Sequence, residues 1–194
     1  MRKLDLVEFV SVDGVMQALA GPDGDFPYPG WGLDYPVESE EDPDSRTFAG
    51  TSAYLFGRST YEEMAAFWPH QPDENPMAAS LNAAQKYVVS STITDTSWDP
   101  TTVISGDVAG SVAALKTEGE GAIVVLGSGK LARFLLAAGL VDGLTLFVHP
   151  LLLGTGTRLF GDLPELQRLH LVSSRSSERG SLVLNYTVGD AGSR

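Results

Sequence analysis

The chain contains no cysteine, so it has no material for a disulfide, a zinc-thiolate centre or a thiol nucleophile, and this composition fits the cytosol. Histidine is sparse, and His70, His149 and His170 lack partners at metal-ligand spacing, which gives a zinc site little support. Positive charge is short as well: 13 Lys and Arg stand against 25 Asp and Glu, for a formal net charge of -12. A nucleic-acid partner would need a basic face to neutralise phosphates, so that class is disfavoured. No apolar run approaches membrane-spanning length, and no membrane partner is expected. Residues 4–10 are interrupted by Asp5 and Glu8 and are too short for a signal-peptide core, so no signal peptide is expected. Ser128 lacks the full G-x-S-x-G elbow of a hydrolase. Nothing supplies a protein nucleophile, and a reaction whose hard step is carried by a cofactor, such as hydride transfer, needs none.

With 43% hydrophobic residues in 194, the chain can bury a proper core, and a single domain over residues 1–194 is the simplest count. Its most informative stretch is 122–136. Residues 122–126 form a continuous, partly β-branched apolar run, as expected of a strand covered on both faces. Gly127-Ser128-Gly129 breaks it, and Leu131, Phe134, Leu135 and Ala138 recur behind at helical spacing. A strand, glycine turn and helix start can hold a phosphate on free helical amides. The turn fits the loose pattern G-x-G-x-x-[GA], but it lies two-thirds down the chain, and no acid follows about 20 positions on at a strand end. A tight turn with no ligand fits the segment equally well.

Taken in order, residues 4–11 read as a first strand ending in Ser11-Val12-Asp13-Gly14. Asp13 is either a ligand-contacting acid at a strand end or an Asp-Gly turn that caps its own backbone. Residues 21–43 form an ordered aromatic loop with Phe26, Tyr28, Trp31 and Tyr35, a hydrophobic plug or dimer contact before a stacking platform. The acids at 38–44 suit the start of a helix running to about Ser52. Residues 53–56 are a second strand, followed by Gly57-Arg58-Ser59-Thr60 and a helix through Phe67. Arg58 at a helix N-terminus opposes the dipole, so it pairs either with a bound phosphate or with Glu62 or Glu63. A short helix spans 76–84. A third strand, 86–89, ends in Ser90-Ser91-Thr92, hydroxyls that suit phosphate or an ordinary turn. A fourth strand (101–104), a helix (108–116), the strand at 122–126 and a sixth strand (141–150) follow, with His149 reading as structural. Alternating segments 166–174 and 181–188 close the chain as a hairpin. The class is therefore α/β with a mixed, mostly parallel sheet and an antiparallel edge.

Five segments in this order resemble the dihydrofolate reductase-like family, in the branch related to the reductase domain of bacterial riboflavin biosynthesis. They are Ser11-Val12-Asp13-Gly14, Leu55-Phe56-Gly57-Arg58-Ser59-Thr60-Tyr61-Glu62, Lys86-Tyr87-Val88-Val89-Ser90-Ser91-Thr92, Val125-Leu126-Gly127-Ser128-Gly129-Lys130-Leu131, and His149-Pro150-Leu151 with Gly154, Gly156 and Leu159-Phe160. The resemblance runs over residues 4–188. It implies a three-layer α/β/α sandwich around an eight-stranded sheet, NADPH across the carboxyl ends of the strands, and often a homodimer. It further implies that Gly57, Arg58, Ser59 and Thr60, with Ser90, Ser91 and Thr92, hold the adenosine phosphates, Arg58 taking the 2′-phosphate. Gly127, Ser128, Gly129, Lys130 and Leu131 would face the pyrophosphate, while Asp13, Trp31 and Phe48 would flank a small-molecule substrate. Asp13 or an ordered water would be the proton source.

Two departures bear on the substrate. No carboxylate maps securely onto the pteridine-holding acid of dihydrofolate reductases, Asp44 being the nearest, and Leu126 stands where riboflavin-pathway reductases usually carry glutamate. The resemblance thus implies an NADPH-dependent reductase of a pterin-like or ribosylaminopyrimidine-like substrate. The alternative is a non-catalytic homodimeric module of the same fold that binds a nucleotide or other small ligand.

Overall fold

A computed structural model describes residues 1–35, 48, 50–72, 74–161 and 163–189. Eight strands are present: β1 Lys3–Ser11, β2 Thr51–Gly57, β3 Gln85–Val89, β4 Thr101–Ile104, β5 Ala122–Leu126, β6 Gly143–His149, β7 Leu169–Ser176 and β8 Leu182–Val188. Among the described residues, four α-helices lie between these strands: α1 Arg58–Phe67, α2 Pro76–Ala83, α3 Val108–Thr117 and α4 Gly129–Ala137. The strands form one sheet in the order β4-β3-β2-β5-β1-β6-β8-β7. β1 to β6 pair in parallel, whereas β8 runs antiparallel to β6 and β7. This is the mixed, mostly parallel sheet with an antiparallel edge that the pattern of the chain predicts.

Each face of the sheet has its own core. Leu4, Leu6, Leu55, Ile123 and Val125 meet Val112 of α3 and Leu131 and Leu135 of α4 on one side. Val7, Tyr54, Phe56, Val124 and Leu126 meet Tyr61 of α1 and Leu81 of α2 on the other. Alternate residues of β1, β2 and β5 thus feed opposite cores, which is why β5 is apolar without alternation. A third cluster of Val15, Phe26, Trp31 and Leu153 packs the loop after β1 against the loop after β6. Local chemistry marks two helix starts: Asn75 accepts from the Met77 and Ala78 amides ahead of α2, and Asp107 accepts from Gly110 ahead of α3.

The boundaries differ from expectation in places. A helix reaching Ser52 is ruled out at its end, because Thr51 already opens β2 and bonds through its amide to the Phe48 carbonyl at 3.1 Å; the remainder of that segment, with Asp44, lies outside the described residues. β6 is shorter than 141–150, since Asp142 turns its carboxylate to the Leu4 amide (2.8 Å) and to Lys116 (2.6 Å) at the amino edge of the sheet. The first hairpin strand begins only at Leu169, where pairing with Val188 begins. No described helix is long and apolar enough to cross a membrane.

Candidate active site

The carboxyl ends of β2 and β5 are adjacent, and the glycine turn that leaves each one is fastened to the other. Gly57 donates its amide to Ser128 Oγ at 3.0 Å. Ser128 is a non-glycine residue in the left-handed region, with φ 68, a conformation that costs an L-residue about 1–2 kcal/mol. Thr60 Cγ2 packs beside Gly127. The two turns anticipated from sequence are therefore one structure.

Beside it lies a cavity of about 640 Å³ lined by Arg58, Ser90, Ser91, Thr92, Ser105 and Gly106, among others. Arg58 comes from the end of β2, the hydroxyls from the end of β3, and Ser105-Gly106 from the end of β4. Ser90 Oγ accepts from the Thr92 and Ile93 amides (3.1 and 3.0 Å) and fixes the hydroxyl turn. Arg58 bonds Glu62 at 3.3 Å, with both side chains half-exposed; this is the intrahelical pair foreseen as one alternative, and a solvated pair of this kind is weak enough to exchange for a stronger anion. The site offers one guanidinium, several hydroxyls and backbone amides, a donor set that fits phosphate groups. The amino end of α3 contributes less, because Asp107 already caps it. Ser59 and Lys130 are exposed at the turns. Leu131 is a core residue of α4, so only its amide can face a ligand.

The substrate-side residues separate. Trp31 is 7% exposed and donates Nε1–H to the Gln17 carbonyl at 2.7 Å, so it is a plug in the third cluster, the other reading open for the aromatic loop. Phe48 is half-buried against the core under α1 and α2. Asp13 links two loops: its carboxylate accepts from Ser11 Oγ (2.7 Å), Leu153 N (3.1 Å) and Gly154 N (2.9 Å), with Arg158 at 3.5 Å. These bonds, the Ser11 hydroxyl first, lower its pKa to about 2. The carboxylate is thus ionised near neutral pH and holds no proton to give.

Sequence reasoning read His149 as structural and passed over the settings of Met16 and Glu8. His149, 2% exposed, bonds Ser181 Oγ through Nδ1 at 2.9 Å and stacks on Tyr35 at 5.0 Å and on Phe9 at 6.1 Å; burial lowers its pKa, which favours the neutral ring. Met16 packs its thioether against Gly129, where any Cβ would collide with it. Glu8 is wholly buried on β1, and neither carboxyl oxygen has a hydrogen-bond partner among the described residues. The only signal for Glu8 was an acid inside an apolar strand.

The pattern of the RibD C-terminal domain matches residues 2–183. The chain belongs to the RibD C-terminal domain family. Within reach of this RibD C-terminal domain chain is YyaP of Bacillus subtilis (strain 168), described as uncharacterized, 27% identical over 135 residues, or 68% of this chain and 71% of that one. Among solved structures, a putative riboflavin biosynthesis protein from Shewanella sp. PV-4 superposes with a TM-score of 0.73 at 18% identity, covering 97% of this chain and 99% of that one. Dihydrofolate reductase from Enterococcus faecalis, complexed with NADP(H) and RAB-propyl, superposes with a TM-score of 0.60 at 18% identity, covering 97% of each chain. These likenesses establish the dihydrofolate reductase-like fold.

Proposed function

We propose that the protein is a cytoplasmic NADPH-dependent oxidoreductase that reduces a small heterocycle of pterin-like or ribosylaminopyrimidine-like type. The observation that carries this reading is the convergence of Arg58, the Ser90 to Thr92 hydroxyls and Gly106 on one cavity, next to two glycine turns joined by the Gly57–Ser128 bond. Arg58 would exchange Glu62 for the 2′-phosphate, the hydroxyl turn would donate to the same phosphate, and the amides at 127–131 would face the pyrophosphate. When bound, the nicotinamide supplies the hydride. Asp13 acts through position, holding the 151–154 loop against the strand end. Protonation of the product falls to ordered water.

The non-catalytic module retains two specific supports: Asp13 is fully engaged, and Leu126 stands where the resemblance implies an acid. Titration with NADPH, read by nicotinamide fluorescence, followed by NADPH oxidation over pterins, ribosyl pyrimidines and quinones, separates the two. Saturable binding with turnover of a heterocycle supports the reductase; binding without any turnover supports the module; no binding of NADPH refutes the reductase. A second copy of the chain is the proposed partner, since β7 is an edge strand that leaves Leu169, Leu171 and Val172 exposed. Light scattering should return twice the 20.6 kDa chain mass, and a monomer would contradict it.

A further inference from the structure

Glu8 is a residue the proposed chemistry has not used, and its position is unusual. It shares the face of β1 that sends Leu4, Leu6 and Val10 toward α3 and α4. β5 ends opposite Val7, where the Gly127 amide donates to the Val7 carbonyl at 3.1 Å. Glu8 is therefore the first residue of β1 beyond the end of β5, beneath the turn at 127–129, with Leu146 of β6 opposite on its other side. Its relative exposure is 0%, and both carboxyl oxygens lack a hydrogen-bond partner among the described residues. The charged group that acts on it is Arg133 of α4. Arg133 Nη1 instead bonds the Arg158 and Leu159 carbonyls at 3.0 and 2.9 Å. A buried carboxyl left without partners costs stability, so its presence asks for a use.

Strand order gives the direction of that use. A dinucleotide with its adenosine phosphates at the ends of β2 to β4 and its pyrophosphate at the β2 and β5 turns has β1 as the next strand in line. Three strand spacings, about 14 Å, separate β3 from β1. The nicotinamide end is thus carried toward Glu8, past the turn where the flexible thioether of Met16 packs against Gly129.

We propose, on the strength of the cofactor reading above, that Glu8 reads the carboxamide of the nicotinamide as a neutral carboxylic acid, donating its O–H to the amide oxygen and accepting from the amide nitrogen once Met16 moves aside. A primary amide and a carboxylic acid each present one donor and one acceptor side by side, so the pair satisfies both oxygens that the fold leaves open. Burial supports the neutral form: it raises the carboxyl pKa to about 8 against the pull of Arg133. Ionisation above that pH removes the donor and places a negative charge by the ring, which favours the cationic oxidised ring over the neutral reduced one.

The test compares wild type, Glu8→Gln and Glu8→Leu for binding of NADPH and of adenosine 2′,5′-bisphosphate, which lacks the nicotinamide, from pH 6.5 to 9.5. Wild-type affinity for NADPH should fall about tenfold for each pH unit above the pKa, with the bisphosphate unaffected. Glu8→Gln, which keeps a donor and an acceptor, should bind NADPH without that pH dependence. Glu8→Leu should lose at least about tenfold in NADPH affinity at pH 7 and nothing for the bisphosphate. Equal NADPH affinity in all three proteins, or an equal loss of both ligands in Glu8→Leu, would overturn the role of Glu8 alone. Failure of wild type to bind either ligand would overturn the cofactor reading and this inference with it.

Discussion

The Gly57 amide and the Ser128 hydroxyl meet at 3.0 Å across 71 positions of chain, and their bond holds two strand-to-helix turns in register. The φ of 68 at Ser128 is the strain that accompanies it. Ser128→Ala removes the acceptor, leaves the Gly57 amide without its partner and keeps the left-handed strain; it should destabilise the fold by roughly 1–3 kcal/mol. Ser128→Gly relieves the strain while losing the same bond, so its cost should be smaller by about 1 kcal/mol. Urea unfolding of the two variants checks the order; equal stabilities would mean that the bond and the strain are not both present.

Glu8 also makes a stability prediction that needs no ligand. Its folded pKa of about 8 lies above the ordinary 4.5, so between those pH values the folded state holds a proton that the unfolded state has lost. Stability therefore falls as pH rises across that window and levels off above it. Glu8→Gln should flatten this slope and be more stable than wild type at pH 8 by roughly 2–4 kcal/mol. Thermal melts from pH 5 to 9 measure it, and parallel pH profiles would refute the raised pKa.

Lys86 is fully buried on β3 and donates Nζ to the carbonyls of Leu81 (2.9 Å), Asn82 (3.2 Å) and Ala84 (2.8 Å), with the cation 4.7 Å over the Trp98 ring. It caps the carboxyl end of α2, where a positive charge meets the negative end of the helix dipole. Lys86→Met has nearly the same shape and leaves the carbonyls unpaired, so it should cost roughly 2–4 kcal/mol. Chemical denaturation gives the value; a neutral effect would show that water replaces the ammonium.

Much of this architecture was legible in residue pattern. The apolar run at 122–126 reads as a central strand because both faces of β5 are covered, and the break at Gly127 marks the turn because the backbone there must turn left-handed. Arg58 with its hydroxyl neighbours stood out as a cation on an otherwise acidic chain. What stayed hidden depends on contacts between distant segments. Asp13 stayed open between a ligand-contacting acid and a turn that caps its own backbone because two of its partners, Leu153 and Gly154, arrive from 140 and 141 positions away. Glu8 looked like an interruption because nothing local reveals that β6 and α4 seal it. Trp31 could be read as a plug, a dimer contact or a stacking platform, and pattern alone did not choose among them because Leu153, which helps bury it, comes from the loop after β6.

The central claim is that the cavity beside Arg58 takes the 2′-phosphate of NADPH, and the affinities of wild type and Arg58→Glu for NADPH and NADH test it most directly. The charge reversal should weaken NADPH by at least about tenfold, the size of a lost charge-assisted bond, and change NADH by less than about threefold. Equal losses for the two cofactors would contradict the account.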